Sequence, residues 1–145
     1  MKAIKFIMIF SLLSSVAIGQ TVKWNNAFKW RLYSTSPRNL DTLSKDSLSM
    51  YPSVELNKDT IGQFLNTATP IPSERTSGAV WMGTYWVSYQ VGKSVFLLKV
   101  SKYGGFFVDG NDGLYYELPM EERRSWLNYF SHQSILLQAR KYATP

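Results

Sequence analysis

Apolar and polar side chains alternate from Val22 to Leu32. Val22, Trp24, Phe28, Trp30 and Leu32 fall on even positions and Lys23, Asn25, Lys29 and Arg31 on odd ones, which is the spacing of a half-buried strand. Asn25-Asn26 also suits a tight turn that would divide this segment into a short hairpin. Ser34 to Ser53 is rich in Ser, Asp, Asn and Pro, with only Leu40, Leu43 and Leu48 spaced through it. That composition predicts a loop with one irregular helical turn. Asp59 or Thr60 is placed to cap a short helix with Ile61, Phe64 and Leu65 on one side, although Gly62 weakens it by about 1 kcal/mol relative to Ala. Thr67 to Gly78 has two prolines, small polar residues and no periodicity, and reads as a loop.

From Ala79 onward the pattern is that of a meander. Val91-Gly92-Lys93-Ser94 suits a two-residue hairpin turn with Gly92 at positive φ. This turn sets Tyr89 opposite Phe96, Val87 opposite Leu98 and Tyr85 opposite Val100 on one apolar face. A three-residue loop at Gly104-Gly105 would place Val108 opposite Val100 and Phe106 opposite Lys102. A looser loop over Asp109–Gly113 would set Leu114 against Val108 and Tyr116 against Phe106. A slip of one residue would turn every side chain of a strand to the other face.

Leu118-Pro119-Met120-Glu121-Glu122 is a helix start, with Pro in the first turn and two acids near the positive end of the dipole. Met120, Leu127, Phe130, Ser134 and Leu137 follow helical spacing as far as about Ala139, and the polar stretch Ser131–Ser134 is a candidate kink. The expected fold is therefore α+β: an antiparallel meander of about four strands with an added N-terminal strand, and the C-terminal helix across its core face.

The N-terminus changes the picture of where such a domain works. Lys2 and Lys5 precede an apolar run from Phe6 to Ile18, and Ala17-Ile18-Gly19 offers small residues to a signal peptidase. The run is shorter than the roughly 20 residues a membrane-spanning helix needs. A cleaved leader over residues 1–19 and one domain over residues 20–145 are expected, periplasmic or extracellular and without a stable membrane anchor. The chain has no cysteine, so no lipid attachment at cysteine and no disulfide framework is available, and the core must stabilise the domain by itself. The formal charge of +6 falls once Lys2 and Lys5 leave, and the remaining basic residues are scattered, as on a solvated surface. Nucleic acid is not an expected partner outside the cytoplasm. Acidic glycans and acidic protein surfaces are the anions met there.

Few residues suggest chemistry. The single histidine, His132, lies in a predicted helix, and no G-x-S-x-G turn accompanies it. Asp109-Gly-Asn-Asp-Gly113 resembles a calcium loop only superficially, because Gly113 is its fifth position and Met120 its twelfth. Asp, Asn and Gly are also what a turn requires. Glu117 and Asp109 are the best carboxylate pair for a small hydrolase. No cofactor and no metal is expected from the spacing of any motif.

The reverse face of the predicted sheet is the most informative feature. It carries Trp86 opposite Lys99, together with Tyr103, Phe107, Tyr115 and Glu117. A second layer over this face is expected, from the N-terminal strand with Trp24, Phe28 and Trp30 or from the short helix around Phe64, because an open patch of that size is unusual on a monomer. Left open, in whole or at its rim, it is a binding surface, since Trp and Tyr combine apolar area with a hydrogen-bonding tip. The function expected is an exported, non-catalytic binding protein acting on another extracytoplasmic protein, as an inhibitor or in a protective, immunity-like role. A glycan-binding module of the cell envelope, stacking sugars on Trp86, Phe107 and Tyr115, and a hydrolase using Glu117 with Asp109 are the alternatives.

Overall fold

The computed structural model of the chain describes residues 24–34, 45–72, 75 and 84–143. The predicted leader, Val22, Lys23, Leu40 and Leu43 lie outside the described residues. Seven strands form one antiparallel sheet: β1 (Phe28–Tyr33), β2 (Ser53–Glu55), β3 (Thr69–Ile71), β4 (Thr84–Val91), β5 (Ser94–Ser101), β6 (Phe106–Asp109) and β7 (Tyr115–Glu117), in the spatial order β2-β1-β4-β5-β6-β7-β3. Among the described residues, the helices α1 (Lys58–Thr67) and α2 (Met120–Ala143) and a 3-10 turn at Lys45–Met50 accompany it. The α+β arrangement is the one the sequence predicts, with more strands. The four-stranded meander β4 to β7 is its centre. The additional strands β2 and β3 have three residues each and lie at the two edges, too short to carry a periodic signal of their own.

The hairpin of β4 and β5 has the predicted register, including Tyr85 with Val100, Val87 with Leu98 and Trp86 with Lys99. Gly92 sits at φ 58 in its turn. The next strand does not follow expectation. Val100 faces Phe107, and Lys99 faces Val108; β7 then meets β6 as Tyr116 with Phe107 and Tyr115 with Val108. Against β5, β6 is displaced by one residue and β7 by two, so β6 alone changes face; Lys102 to Gly105 link β5 to β6 where a three-residue loop was expected. The Ser101 hydroxyl braces that longer turn, accepting from the Tyr103 N–H at 3.0 Å and donating to the Tyr103 carbonyl at 2.5 Å.

The N-terminal segment is corrected in two ways. Trp24 and Asn25 are helical, and the Ala27 N–H on the Trp24 carbonyl at 3.0 Å closes the turn that follows, so the strand begins at Phe28. The pairing of β1 with β4 then shifts between Phe28, opposite Gln90, and Arg31, opposite Ser88. One extra residue at Lys29-Trp30 makes a bulge, which re-aims the side chains that precede it. Trp30 and Leu32 point into the core while Phe28, predicted to join them, is turned out and exposed.

Both helices lie on the same face of the sheet. On α2, Trp126, Phe130 and Leu137 are buried. Trp126 meets Phe107 at 5.7 Å between ring centroids, Phe130 at 4.6 Å and Phe64 of α1 at 5.3 Å. Phe130 in turn stacks on Tyr85 at 5.7 Å. Helix α1 is capped by Asn57, whose side chain accepts from the Thr60 N–H at 2.9 Å, one turn-start earlier than Asp59 or Thr60. The Asn57 N–H donates to the Tyr129 hydroxyl at 3.0 Å and ties α1 to α2. Helix α2 runs unbroken through Ser131–Ser134 to Ala143.

Trp24, Trp30 and Phe64 all belong to this one core. The expectation that β1 or α1 forms a second layer over the reverse face is therefore wrong. β1 extends the sheet edge to edge, and α1 shares the core side with α2.

Candidate functional site

With both helices on one side, the other side of the sheet carries a continuous row of cross-strand neighbours. Tyr33 faces Trp86, Trp86 faces Lys99, Lys99 faces Val108, Val108 faces Tyr115 and Tyr115 faces Ile71. Trp86, Lys99 and Tyr115, singled out from sequence, are thus brought together, and all three are half-buried. The other predicted residues are dispersed. Tyr103 stands in the β5–β6 turn and is exposed. Phe107 is on the core face, without exposure, and stacks on Tyr116 at 5.1 Å; the one-residue displacement of β6 put it there.

Glu117 is on the reverse face but is occupied. Its carboxylate pairs with the Arg123 guanidinium at 3.3 Å and with Arg75 at 3.7 Å. Arg123 also donates to the Leu118 carbonyl at 2.9 Å and lies over the Phe106 ring at 5.0 Å. This is a brace between the last strand and the start of α2.

Asp109, its proposed partner, is on the opposite face, since it pairs with Leu98 and follows Phe107 by two. It is fully buried. Its carboxylate accepts from the Tyr89 hydroxyl at 2.9 and 3.0 Å, from the Trp24 indole N–H at 3.2 Å and from the Asn111 N–H at 2.9 Å. The rest of the D-G-N-D-G stretch is a turn, with the Gly113 N–H on the Asp109 carbonyl at 2.8 Å and the Leu114 N–H on the Asp112 carboxylate at 2.8 Å. The sheet therefore separates Asp109 from Glu117, and the two do not flank a common substrate. His132 is exposed on α2. Among the described residues no group of three or more His, Asp or Glu is arranged to hold a metal ion.

Burial, more than any other cause, pushes the Tyr89 hydroxyl far above the ordinary tyrosine value of 10.0, and the Asp109 carboxylate adds to it. Tyr116 is raised as well, by burial first and then by its hydrogen bond to Asp112 at 2.6 Å. Both phenols stay protonated donors, Tyr89 to the buried Asp109 and Tyr116 to the exposed Asp112.

A concave feature of the reverse face lies at its β1 end. A cleft of about 590 Å³ opens over β1, β2 and β4, with the 3-10 turn at Lys45–Met50 supplying Asp46, Leu48 and Ser49 as one wall. Its floor is polar. The Arg31 guanidinium donates to Ser53 Oγ at 2.9 Å, and the Tyr33 hydroxyl shares a hydrogen bond of 3.0 Å with Ser88 Oγ. Lys29 and Gln90 line it as well. Lys29 is held at φ 51, and it is the non-glycine residue with positive φ among those described. A bulge of this kind ordinarily has glycine there, and an L-residue costs about 1 kcal/mol in that conformation. The sequence gives no warning of the cleft. Lys29 and Arg31 are two of many scattered cations, and only folding sets them beside Ser53 and Gln90, which are distant in the chain.

No protein-family model matches the chain, and neither a curated protein nor a solved structure matches it.

Proposed function

We propose that this is a non-catalytic binding protein that works after export and takes another protein on the face of its sheet opposite α1 and α2. The observation that supports this reading is the cleft of about 590 Å³ set into that face, beside the row of Tyr33, Trp86 and Lys99. A concave, preformed site with convergent polar groups is the usual form of a recognition site, and tyrosine, tryptophan and arginine are the residues in which binding energy concentrates. The carboxylates that a hydrolase would use are instead satisfied by Tyr89 and Trp24 or by Arg123 and Arg75. An inhibitor of, or a protector against, a foreign enzyme is the role such a surface suits.

The test is capture of partners from extracellular and periplasmic fractions by the chain from Gln20 onward, with a Trp86→Ala, Tyr115→Ala variant of equal thermal stability as control. A protein held by the wild type and released by the variant is the expected result. Equal capture by both, or capture of polysaccharide alone, would overturn the reading.

A further inference from the structure

Among the described residues, two cations, Lys29 and Arg31, and one acid, Asp46, line the cleft. Lys29 and Arg31 flank Trp30 on β1, at the bulge between Phe28 and Arg31. Among the described residues no carboxylate lies within ion-pairing distance of either cation. Glu55, the cross-strand neighbour of Arg31, stands outside the cleft, and the Arg31 guanidinium is steadied by the neutral Ser53 hydroxyl at 2.9 Å. An arginine steadied by a hydroxyl keeps further N–H donors and its full charge for a ligand, and its planar fork matches a carboxylate.

The bulge adds a second, independent observation. Glycine would occupy the left-handed position without strain, yet the chain has Lys29 there, at φ 51, on the lip of the same cleft. Bulges re-aim side chains, and strained backbone is retained where the surroundings or a ligand use it.

Resting on the reading of this face as a protein-binding surface, we infer that the cleft receives an acidic peptide segment of the partner, whose carboxylates are clamped between Lys29 and Arg31. Tyr33 and Tyr51 are also among the walls, so acidic sugar is the competing ligand of the test. Peptide is favoured by the reading of this face as a protein-binding surface and by the polar groups the walls offer. Gln90 and the Ser53 and Ser49 hydroxyls provide donors and acceptors of the kind a peptide backbone pairs with. The Gln90 side chain is aligned by its own bond to the Gly92 carbonyl at 3.0 Å.

The experiment is titration of the chain from Gln20 onward with an oligoglutamate peptide, with oligoglutamine of equal length and oligogalacturonate of equal charge as comparators. Oligoglutamate should bind and weaken with added salt, and oligoglutamine should not. Arg31→Glu should lower the affinity at least tenfold and Lys29→Gly several-fold, whereas Lys141→Glu, the same kind of charge change on exposed α2, should leave it within about twofold. Lys29→Gly keeps the bulge, so its loss of binding reads the side chain rather than the fold. Absence of oligoglutamate binding, equal loss in Lys141→Glu, or tighter binding of oligogalacturonate would each overturn the inference. Partner capture that fails in the Trp86 variant but survives Arg31→Glu would leave the binding-protein reading standing and remove this one.

Discussion

The Tyr89 hydroxyl donates to both oxygens of the Asp109 carboxylate, at 2.9 and 3.0 Å, and neither residue has any exposure to solvent. The pair spans from β4 to the end of β6 across the intervening β5, and the Trp24 indole joins it from the N-terminal turn. A buried carboxylate is costly unless its lone pairs are filled, so this cluster fixes the inward face of β6 as firmly as any apolar contact.

Replacing Asp109 by Ala should leave the Tyr89 O–H and Trp24 N–H as buried donors without an acceptor. Each such loss costs about 1–3 kcal/mol, and the expected drop in unfolding free energy is about 3 kcal/mol, read from the urea midpoint. Asp109→Asn keeps one acceptor and should lose less. A change within about 0.5 kcal/mol for Asp109→Ala would mean that the cluster is not formed.

Stability should fall in alkali. The pKa values of Tyr89 and Tyr116 are raised by burial from 10.0; the unfolded chain therefore releases these protons near pH 10 while the native protein retains them. Their contribution is present in full below the unfolded value and is lost as pH rises past it. Denaturant midpoints measured below and above pH 10 should show the decline, and Tyr89→Phe should flatten it.

The register of β6 has its own test. Phe107→Ala removes a fully buried ring stacked on Tyr116 and should cost about 3–5 kcal/mol. Val108→Ala, on the half-buried reverse face, should cost about 1 kcal/mol. The opposite order would return β6 to the register in which Val108 faces inward.

Lys29→Gly relieves a left-handed L-residue at φ 51 and should raise the unfolding free energy by up to about 1 kcal/mol, less the entropy that glycine brings to the unfolded chain. A variant more stable than the wild type yet weaker in ligand binding would separate the use of this lysine from the needs of the fold.

Gly110 is required for space rather than conformation. A Cβ there would sit 2.8 Å from the Leu97 carbonyl oxygen, which already accepts the Gly110 N–H at 2.7 Å. Backbone cannot swing aside as a long side chain does, so Gly110→Ala should cost about 1–3 kcal/mol. Gly92→Ala, with no atom within 4 Å of the added carbon, should cost only the strain of its positive φ, about 1 kcal/mol.

What the sequence determined by itself was local. Strict alternation over Tyr85, Val87 and Tyr89 and a two-residue turn at Gly92-Lys93 leave one solution for β4 and β5, and that is the register observed. Pro119 followed by two acids starts α2, and the apolar face of Ile61, Phe64 and Leu65 marks α1. Phe106, Phe107 and Val108 are three apolar residues in succession, so alternation cannot say which of them faces in. The deciding residue is Asp109, a charged side chain that pattern reading sends outward and that Tyr89 and Trp24 hold inside. The bulge at Lys29, the side on which the helices gather, and the cleft that unites Arg31 with Ser53 and Gln90 were likewise settled only by tertiary structure. They rest on partners far apart in the chain, and no period along the backbone records a contact whose other half is tens of residues away.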